Sequence, residues 1–530
     1  MTRIPFILAL LFFGAFVGLP LLAMLFDSVN TPSGIGFAAY SSIFGDPILR
    51  EEFVNSLELG VAATTIAWVF GFGHAFLTCR TDLPGARWLG PMGLAPLVIP
   101  PILVAMGFAD FAKVSGFWGC SFLLGVSFAP FVAVLSARGL RAIDGRLFEA
   151  GLLARGRGAA ERLLARMVLP EMLAGCLFAF IFTISEHGVP EFLTVKGKTW
   201  HTYAEGVFSL WTRRATGVEH QDLVSPTVAS IPLVLLIVVA LFFAMRLRAR
   251  TSLRGEFHPL PIRGLGRWRW PALLLPLVYL GAGVGVPVVV MARWAAGSTV
   301  VNEPMSIGVV RESFRAAWTE AGSDLTYTLG IALVTTLTLL VVAIPLARRA
   351  ARGRPVFDLL SVVPLAVPAI LLGIGMVHVY NHPLLARAYD AVGDFYDSFG
   401  IVAAAYAARF LPFGVLTLSS AVRRIPRSLE EAAALSGRRP LAQAVRIHLP
   451  MMLPAIWSAA CLVFILALRE LDLAVVLPAG NGTVVRRLSN VVHFGGENMG
   501  GALALCLLLA ALLVPLLTIL VTGRKLRSLS

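Results

Sequence analysis

Charged residues are scarce in this chain. They make up 14% of its 530 residues, whereas an average soluble domain has roughly 25%. The hydrophobic fraction is 57% and the mean hydropathy is +0.81. Soluble, disordered and fibrous proteins are excluded, because none of them could keep this much apolar surface away from water. The sequence therefore predicts a membrane protein.

Two motifs that would indicate chemistry on the chain itself are also missing. No Cys-x-x-Cys pair occurs, and the five cysteines lie in or beside apolar runs, as is typical of small buried side chains. The segment Gly197-Lys198-Thr199 is not a phosphate-binding loop, because Phe192 stands where the upstream glycine is required. The sequence therefore predicts no catalytic residue and no cofactor on this chain.

Long apolar runs are what the chain does have. A helix needs about 20 mostly apolar residues to cross the roughly 30 Å hydrocarbon layer of a bilayer. Twelve runs meet that length, and they predict an all-α membrane protein with about twelve transmembrane helices. The runs are Ile4–Phe26, Leu59–Cys79, Trp88–Ala109, Val114–Ala137, Met172–Val195, Leu223–Met245, Trp270–Ala292, Leu325–Ala347, Leu359–Tyr380, Phe399–Val422, Met451–Leu473 and Met499–Gly523.

Arginine and lysine are concentrated in alternate connecting segments. With a cytoplasmic N-terminus, seven segments are cytoplasmic, and they carry 30 of the 44 basic residues but 9 of the 30 acidic ones. The resulting +21 on one side and −7 elsewhere follow the positive-inside rule. The net charge of +14 therefore predicts a multi-pass protein of the inner (plasma) membrane with both termini in the cytoplasm, and not a nucleic-acid-binding protein.

The two halves of the chain resemble each other. Residues 96–107 (PLVIPPILVAMG) match residues 364–375 (PLAVPAILLGIG), and LGVA at 59–62 matches LGIA at 329–332. An even number of spans per half keeps the halves in one orientation, which predicts two parallel six-helix repeats. The predicted division is a first transmembrane domain at 1–247, an arginine-rich cytoplasmic linker at 248–269 and a second transmembrane domain at 270–530.

Each repeat has two prolines four residues apart within one span. They are Pro96 and Pro100 in the first half and Pro364 and Pro368 in the second. Proline removes a helical hydrogen bond and frees a carbonyl, which a span tolerates where it packs against protein or lines a cavity. These four residues are predicted hinge or kink positions. A moving, cavity-lining helix and a packed kink both remain open.

The loop between the tenth and eleventh runs contains the pattern of a short polar helix. Ser428 and Glu431 fit a capping box, and Gly437 fits a helix C-terminus. About two helical turns lie between them, and so short a helix is stable only when it packs against something. A docking element and an ordinary connecting helix are both compatible with this pattern.

The spacing within this loop resembles a known signature. Residues 431–433 (EAA), three residues, Gly437, nine residues and residues 447–450 (IHLP) are similar to the EAA motif of binding-protein-dependent ABC transporter permeases. In that family the loop forms the coupling helix that sits in a groove of a cytoplasmic ATPase. The resemblance implies an ATPase-coupling role for Glu430, Glu431, Ala432, Ala433, Gly437 and Pro450.

A degenerate copy of the motif lies between the fourth and fifth runs. Gly151 replaces the second alanine, and the distance from glycine to proline is one residue longer. Asp144 is a suitable cap for its helix. The resemblance implies ATPase coupling by Glu149, Ala150, Gly156 and Pro170. Two such loops look like a fused permease, with both transmembrane halves in one polypeptide.

Ionisable residues inside apolar runs are candidates for function. They occur at corresponding places after the two loops, in the fifth and eleventh runs, and once in the tenth. Corresponding polar breaks are expected along a translocation path, whereas an arginine–acid pair that locks helices together is the alternative. His187 with nearby acids is not a diagnostic metal pair, so no metal site is predicted. The pathway candidates are Glu186, His187, Arg409, Arg469, Glu470 and Asp472.

The resemblance implies the transmembrane subunit of an ATP-driven importer, which takes a small solute from an extracytoplasmic solute-binding protein by alternating access. Two cytoplasmic ATPase subunits would carry ATP and Mg, so the chain itself would not be an enzyme. The fused layout looks most like iron(III) permeases, with thiamine and phosphonate as alternative substrates. An ion-coupled secondary transporter, with Glu186, Glu470 and Asp472 as proton carriers, is the alternative function. A membrane enzyme or assembly factor is a further class, for which no catalytic constellation is found.

Overall fold

The computed structural model describes residues 3–31, 34–36, 40, 43, 45–194, 200–215, 226–249, 258–297, 304–352, 355–382, 395–435, 443–477, 482–494 and 497–527. Within this part of the chain nearly every residue is helical. The named strands are two residues each: β1 (Asn30–Thr31) pairs antiparallel with β2 (Gly34–Ile35). The predicted all-α fold is confirmed.

The helices are numbered in chain order. Those before residue 250 are α1 Arg3–Phe13, α2 Leu19–Val29, α3 Pro47–Arg80, α4 Ala86–Met92, α5 Pro101–Ala112, α6 Gly116–Arg141, α7 Gly145–Arg155, α8 Arg157–Ser185, α9 Gly188–Thr194, α10 Tyr203–Ala215, α11 Pro226–Ala229 and α12 Ile231–Ala249. Those after it are α13 Arg269–Ala272, α14 Leu274–Leu280, α15 Val286–Ala296, α16 Ile307–Ala351, α17 Pro355–Ala366, α18 Ala369–Tyr380, α19 Phe399–Val422, α20 Arg427–Leu435, α21 Leu449–Leu468, α22 Asp472–Val476, α23 Val484–Phe494 and α24 Glu497–Arg527.

The apolar helices coincide with the predicted spans. In the described residues nine helical segments are long and apolar enough to cross a membrane, and two bent helix pairs raise the number to eleven. The apolar part of α24, Glu497–Leu513, is shorter, and it coincides with the twelfth predicted run. An arrangement of twelve transmembrane helices is therefore consistent with the fold.

Both bent pairs break at the repeated prolines. Pro100 and Pro368 have extended backbone conformations (ψ 135° and 144°) and stand immediately before α5 and α18. The helix axes turn by 92° at the first break and by 102° at the second. Proline lacks the N–H that would continue the preceding helix, and its φ suits the start of the next one. The internal repeat is therefore visible in the backbone.

The spans form two compact units that do not follow the halves of the sequence. The N-terminal unit consists of Ala38–Val309 and contains the second to seventh spans. The C-terminal unit consists of Met1–Phe37 and Val310–Ser530, and it contains the first span and the last five. The predicted domains, 1–247 and 270–530 with a linker at 248–269, describe the order along the chain and stay a prediction.

Equivalent close contacts hold the first and seventh spans in these units. A Cβ atom at Gly375 of α18 would come within 3.1 Å of Pro20 Cβ in α2, and one at Gly107 of α5 would come within 3.1 Å of Pro287 Cα in α15. In the C-terminal unit the Tyr380 hydroxyl also donates to the Ala15 carbonyl at 3.0 Å. The glycine that ends each repeated segment thus allows the close approach of another span.

Candidate functional site

The first loop helix is α7, and both of its ends are defined by side-chain or backbone chemistry. The Asp144 carboxylate accepts a hydrogen bond from the Arg146 amide at 3.0 Å, so the expected cap is confirmed. Gly156 follows the helix with a φ of 74°, a conformation that disfavours any residue with a side chain. The helix therefore has about three turns between a capping aspartate and a terminating glycine.

One face of α7 is anchored and the other is exposed. Phe148 lies in a cluster with Leu140, Leu164 and Val168, with Leu152 packed against it one turn along. On the exposed side Glu149 and Ala150 face solvent, and Leu153 is 90% exposed. The buried face fixes the helix in place and leaves its other face available for a partner.

Arg80, at the end of α3, supports the anchored face of α7. Its guanidinium carbon lies 4.7 Å from the Phe148 ring centroid, and its Nη2 atom is 4.0 Å from Glu161 Oε1 in α8. Because Arg80 is buried, the cation–π contact and the ion pair lie in a poorly solvated place where such contacts are strongest. Three helices, α3, α7 and α8, therefore meet at this arginine.

The predicted linker contacts this region directly. The Gly145 amide donates to the His258 carbonyl at 2.9 Å, and Arg146 Nη2 lies 3.0 Å from His258 Nε2. Further along, the Arg263 amide donates to the Arg80 carbonyl at 2.8 Å. Residues 258–265 thus lie along the end of α3 and the start of α7, a contact that no sequence signal indicated.

The second loop helix, α20, covers Arg427–Leu435. It begins one residue before Ser428, so the predicted capping serine lies inside the first turn, within the usual uncertainty of helix boundaries. Ala433 is buried, Glu431 and Ala432 are exposed, and Leu435 is 89% exposed. Glu430 lies in the same helix, and Gly437 lies outside the described residues.

The prolines that close the two motifs lie at different points of their helices. Pro450 is exposed in the first turn of α21, whereas Pro170 lies in the interior of α8, which begins at Arg157. In the first half α8 therefore starts directly after the loop helix. In the second half a short π-helical segment, Ala444–His448, precedes α21.

The helix that follows each loop is broken at the predicted polar positions. Helix α8 ends at Ser185 and α9 begins at Gly188, which leaves Glu186 and His187 in the break. Helix α21 ends at Leu468 and α22 begins at Asp472, which leaves Arg469 and Glu470 in the second break. The two halves thus share a break but differ in its residues.

Arg409 joins two acids at the second break. Its Nε atom lies 3.1 Å from Glu470 Oε2 and its Nη2 atom 3.8 Å from Asp472 Oδ2. The Leu473 amide donates to Glu470 Oε1 at 3.1 Å, and the Tyr406 hydroxyl lies 3.4 Å from the Glu470 carbonyl. All three charged side chains are largely buried. Their pairing matches the helix-locking alternative, and it is equally compatible with a place on a pathway.

The first break is built differently. His187 is buried, its Nε2 atom lies 3.9 Å from Glu191 Oε2, and its ring centroid is 4.9 Å from that of Phe208 in α10. Glu186 is partly exposed beside it. In the described part of the chain no group of three or more potential metal ligands is found. His187 therefore packs against Phe208 in this arrangement, and its place on a pathway stays a prediction.

Two ion pairs at the ends of spans were not predicted. Asp110, at the end of α5, pairs with Arg293 and accepts from Trp294 Nε1 at 2.8 Å. Asp324, in the middle part of α16 and just before the predicted run Leu325–Ala347, accepts from Arg487 Nη1 at 2.7 Å. Asp110, Arg293 and Asp324 each stand next to a predicted apolar run, whereas Arg487 lies in α23 between two runs. Sequence order does not indicate which of these charges meet.

Comparison with known proteins agrees with this architecture. Residues 339–524 match the family model described as the binding-protein-dependent transport system inner membrane component. That segment is a permease domain of this family. It contains the second proline break, the second loop helix and the Arg409 cluster.

Whole-chain and half-chain relatives both match this permease. The Fe(3+)-transport system permease protein FbpB 2 of Haemophilus influenzae is 23% identical over 486 residues, which cover 90% of this chain and 91% of that protein. The molybdenum transport system permease protein ModB of Mycobacterium bovis is 28% identical over 263 residues, 48% of this chain and 94% of that protein. Because a nearly complete relative fits within half of this chain, the predicted fused, two-half permease is confirmed.

A third relative is named for another solute. The spermidine/putrescine transport system permease protein PotC of Haemophilus influenzae is 24% identical over 212 residues, which cover 37% of this chain and 80% of that protein. The relatives of this permease are therefore transport permeases with different named solutes. Likeness to them supports the transport class and leaves the solute open.

Proposed function

We propose that this permease is the membrane-spanning subunit of an ATP-driven importer that works with two cytoplasmic ATPase subunits and an extracytoplasmic solute-binding protein. The observation that carries the proposal is the pair of loop helices. Each presents an almost fully exposed leucine, Leu153 or Leu435, on a short polar helix. An exposed apolar residue in that position fits an apolar groove on a partner.

The contacts around α7 suggest how movement of an ATPase reaches the membrane. Phe148 and Arg80 connect α7 to the end of α3 and to α8. Helix α8 runs from this contact to the polar break at Glu186. A displacement of the loop helix therefore acts on two long helices at once, and alternating access follows when both loop helices move together.

The coupling role is tested by placing a charge on each exposed leucine. Leu153→Asp and Leu435→Asp should each reduce ATP-dependent uptake at least tenfold and weaken co-purification of the ATPase, because a buried unpaired carboxylate opposes docking. Arg162→Ala, at an exposed position of α8, is the matched control. Uptake that persists without any ATPase and follows a proton gradient would instead establish the ion-coupled secondary transporter.

Iron(III) is the solute that we propose. Support comes from the relative named for Fe(3+) transport, which covers 90% of this chain. Thiamine and a phosphonate are the alternatives. Purified cognate binding protein should bind iron(III), and reconstituted permease should import it. Binding and import of thiamine or aminoethylphosphonate in place of iron(III) would reject the assignment.

A further inference from the structure

Two buried glutamates lie where α10 packs on the start of α3, far from the first loop helix. Glu52 lies in the second turn of α3, 9% exposed, and Glu205 lies in the first turn of α10, 8% exposed. A Cβ atom at Gly206 would collide with Glu52 Oε2, so α10 fits against the Glu52 carboxylate because residue 206 is a glycine. The 28 residues from Glu52 to Arg80 place this contact about 42 Å from the loop helix.

Glu205 is well supplied with hydrogen-bond donors. Its Oε2 atom accepts from the Thr202 amide at 2.6 Å and from the Thr202 hydroxyl at 2.9 Å. Its Oε1 atom lies 3.4 Å from the Thr194 hydroxyl and 3.8 Å from His201 Nδ1. The bond from the Thr202 amide is the one that the glutamate of a capping box accepts at a helix start. Burial raises the pKa of the Glu205 carboxyl, and the Thr202 donors counteract that rise.

Glu52 lacks such support. Its Oε2 atom is buried and has no hydrogen-bond partner among the residues that the structure describes. The ionisable groups that act on it are Glu205 from α10 and, from its own helix start, Asp46 and Glu51. Tyr203 of α10 lies close enough to interact electrostatically with Glu52, and His201 pairs with Glu205. Among the described residues, the ionisable groups that act on Glu52 are therefore acidic.

In the second half, the equivalent contact between a span and a short helix contains an ion pair. In the first half the Ser56 hydroxyl accepts from the Tyr203 amide at 2.8 Å, and in the second the Thr328 hydroxyl accepts from the Val484 amide at 2.9 Å. Asp324 lies four residues before Thr328, as Glu52 lies four residues before Ser56. Arg487 lies three residues after Val484, as Gly206 lies three residues after Tyr203. Asp324 and Arg487 are 2.7 Å apart.

This equivalence is one of hydrogen-bonding role. Ser56 lies three residues before the repeated LGVA segment, whereas Thr328 lies one residue before LGIA. The hydrogen-bonding role is nevertheless the same. In each half a hydroxyl of a span accepts from the first amide of a short helix, and an acid lies one turn before that hydroxyl in the span. The first half keeps the acid, adds Glu205 and has no arginine at the equivalent position.

We infer that Glu52 and Glu205 together bind one proton, which resides on Glu52 and takes the part that Arg487 plays in the second half. Two desolvated carboxylates in one contact do not both ionise readily. Glu205 has the donors that stabilise a carboxylate, so Glu52 is the protonated partner. No third His, Cys, Asp or Glu completes a metal-binding group in the described residues, which favours a proton over a metal ion.

The proton controls how α10 sits on α3. Loss of the proton leaves two buried negative charges in the contact and weakens it. Helix α10 also carries Phe208, which packs on His187 in the first polar break. Protonation of Glu52 therefore stabilises the packing of Phe208 on His187 at that break. This effect depends neither on ATP nor on the identity of the solute.

The test compares matched neutral variants of the purified full-length permease. A carboxyl that is protonated in the folded state destabilises the fold as pH rises above the unfolded value of about 4.3. The melting temperature of the unaltered protein should therefore fall between about pH 5 and about pH 9, and Glu52→Gln should flatten this dependence. Asp324→Asn should lower the melting temperature at every pH, because it leaves Arg487 without its carboxylate.

Two further measurements report on the same proton. Glu52→Asp with Gly206→Arg copies the second half and should also flatten the pH dependence. The infrared C=O band of a buried protonated carboxyl should be present in the unaltered protein at pH 7 and absent from Glu52→Gln. The inference is overturned if Glu52→Gln behaves like Asp324→Asn, or if Ca²⁺ or Mn²⁺ raises the melting temperature of the unaltered protein and not that of Glu52→Gln.

Discussion

Arg409 is the residue on which the charge balance of the second polar break depends. It comes from α19, while Glu470 and Asp472 flank the end of α21 and the start of α22. A buried ion pair contributes little net stability when compared with apolar side chains of the same shape. Removing one member is nevertheless costly, because the other charges stay buried.

Replacing Arg409 with methionine should therefore be strongly destabilising. The expected loss is about 3–5 kcal/mol of unfolding free energy, measured by denaturant unfolding in detergent. The triple variant Arg409→Met, Glu470→Gln, Asp472→Asn removes all three charges and should recover most of that loss. If the triple variant folds but does not transport, the charges act on the solute. If it both folds and transports, they serve as a helix lock alone.

Sequence reasoning found these residues and gave an arginine–acid pair as an alternative, but it did not show which acids Arg409 contacts. Each stood out because an ionisable residue in an apolar run is rare, and the two acids lie at a place that corresponds to Glu186. The pairing with Arg409 depends on the packing of α19 against α21, which the apolar pattern does not specify. Glu52 was missed because it precedes the apolar run Leu59–Cys79, where a charge is unremarkable in sequence.

At the scale of elements, the repeated proline segments form sharp bends followed by a close helix contact. Two prolines per span predicted that the helix would be loosened, and the breaks fall at Pro100 and Pro368. The bend angles of 92° and 102° depend on what the following helix packs against. Gly107 and Gly375 make that packing possible, which the sequence match alone did not explain.

A larger side chain at Gly107 should loosen the seventh span. In Gly107→Leu the added atoms meet the backbone of Pro287, which does not move aside as a flexible side chain does, and overpacking of this kind costs about 1–3 kcal/mol. Thermal unfolding of the purified protein measures the loss. Gly281→Ala, where a Cβ meets nothing within 4 Å, is the control and should change the melting temperature far less. Equal effects of the two variants would show that the contact at Gly107 is unimportant.

At the scale of the whole molecule, the first and seventh spans exchange places between the halves. The first span belongs to the C-terminal unit, and the seventh belongs to the N-terminal unit. The length of an apolar run predicts that the segment crosses the membrane, but it does not specify which other spans the segment packs against. The neighbours of a span are set by small residues and isolated polar contacts. The positions of the apolar helices were therefore predictable, and the composition of the two units was not.

Cross-linking should show this exchange directly. In a background without the five native cysteines, Met24→Cys with Gly375→Cys should form a disulfide on oxidation. A protease site inserted at residues 250–257 then separates the halves, and the fragments should stay joined on a non-reducing gel. Each single cysteine variant is the control. Fragments that separate completely in the double variant would place the first span elsewhere.

The central claim is that one chain couples two ATPase subunits through two loop helices. Native mass spectrometry of the purified complex measures the number of ATPase subunits per permease chain. Two subunits are expected for the unaltered protein, with weakened occupancy of one site in Leu153→Asp and of the other in Leu435→Asp. A complex with a single ATPase, or a chain that transports its solute with none bound, would contradict the account.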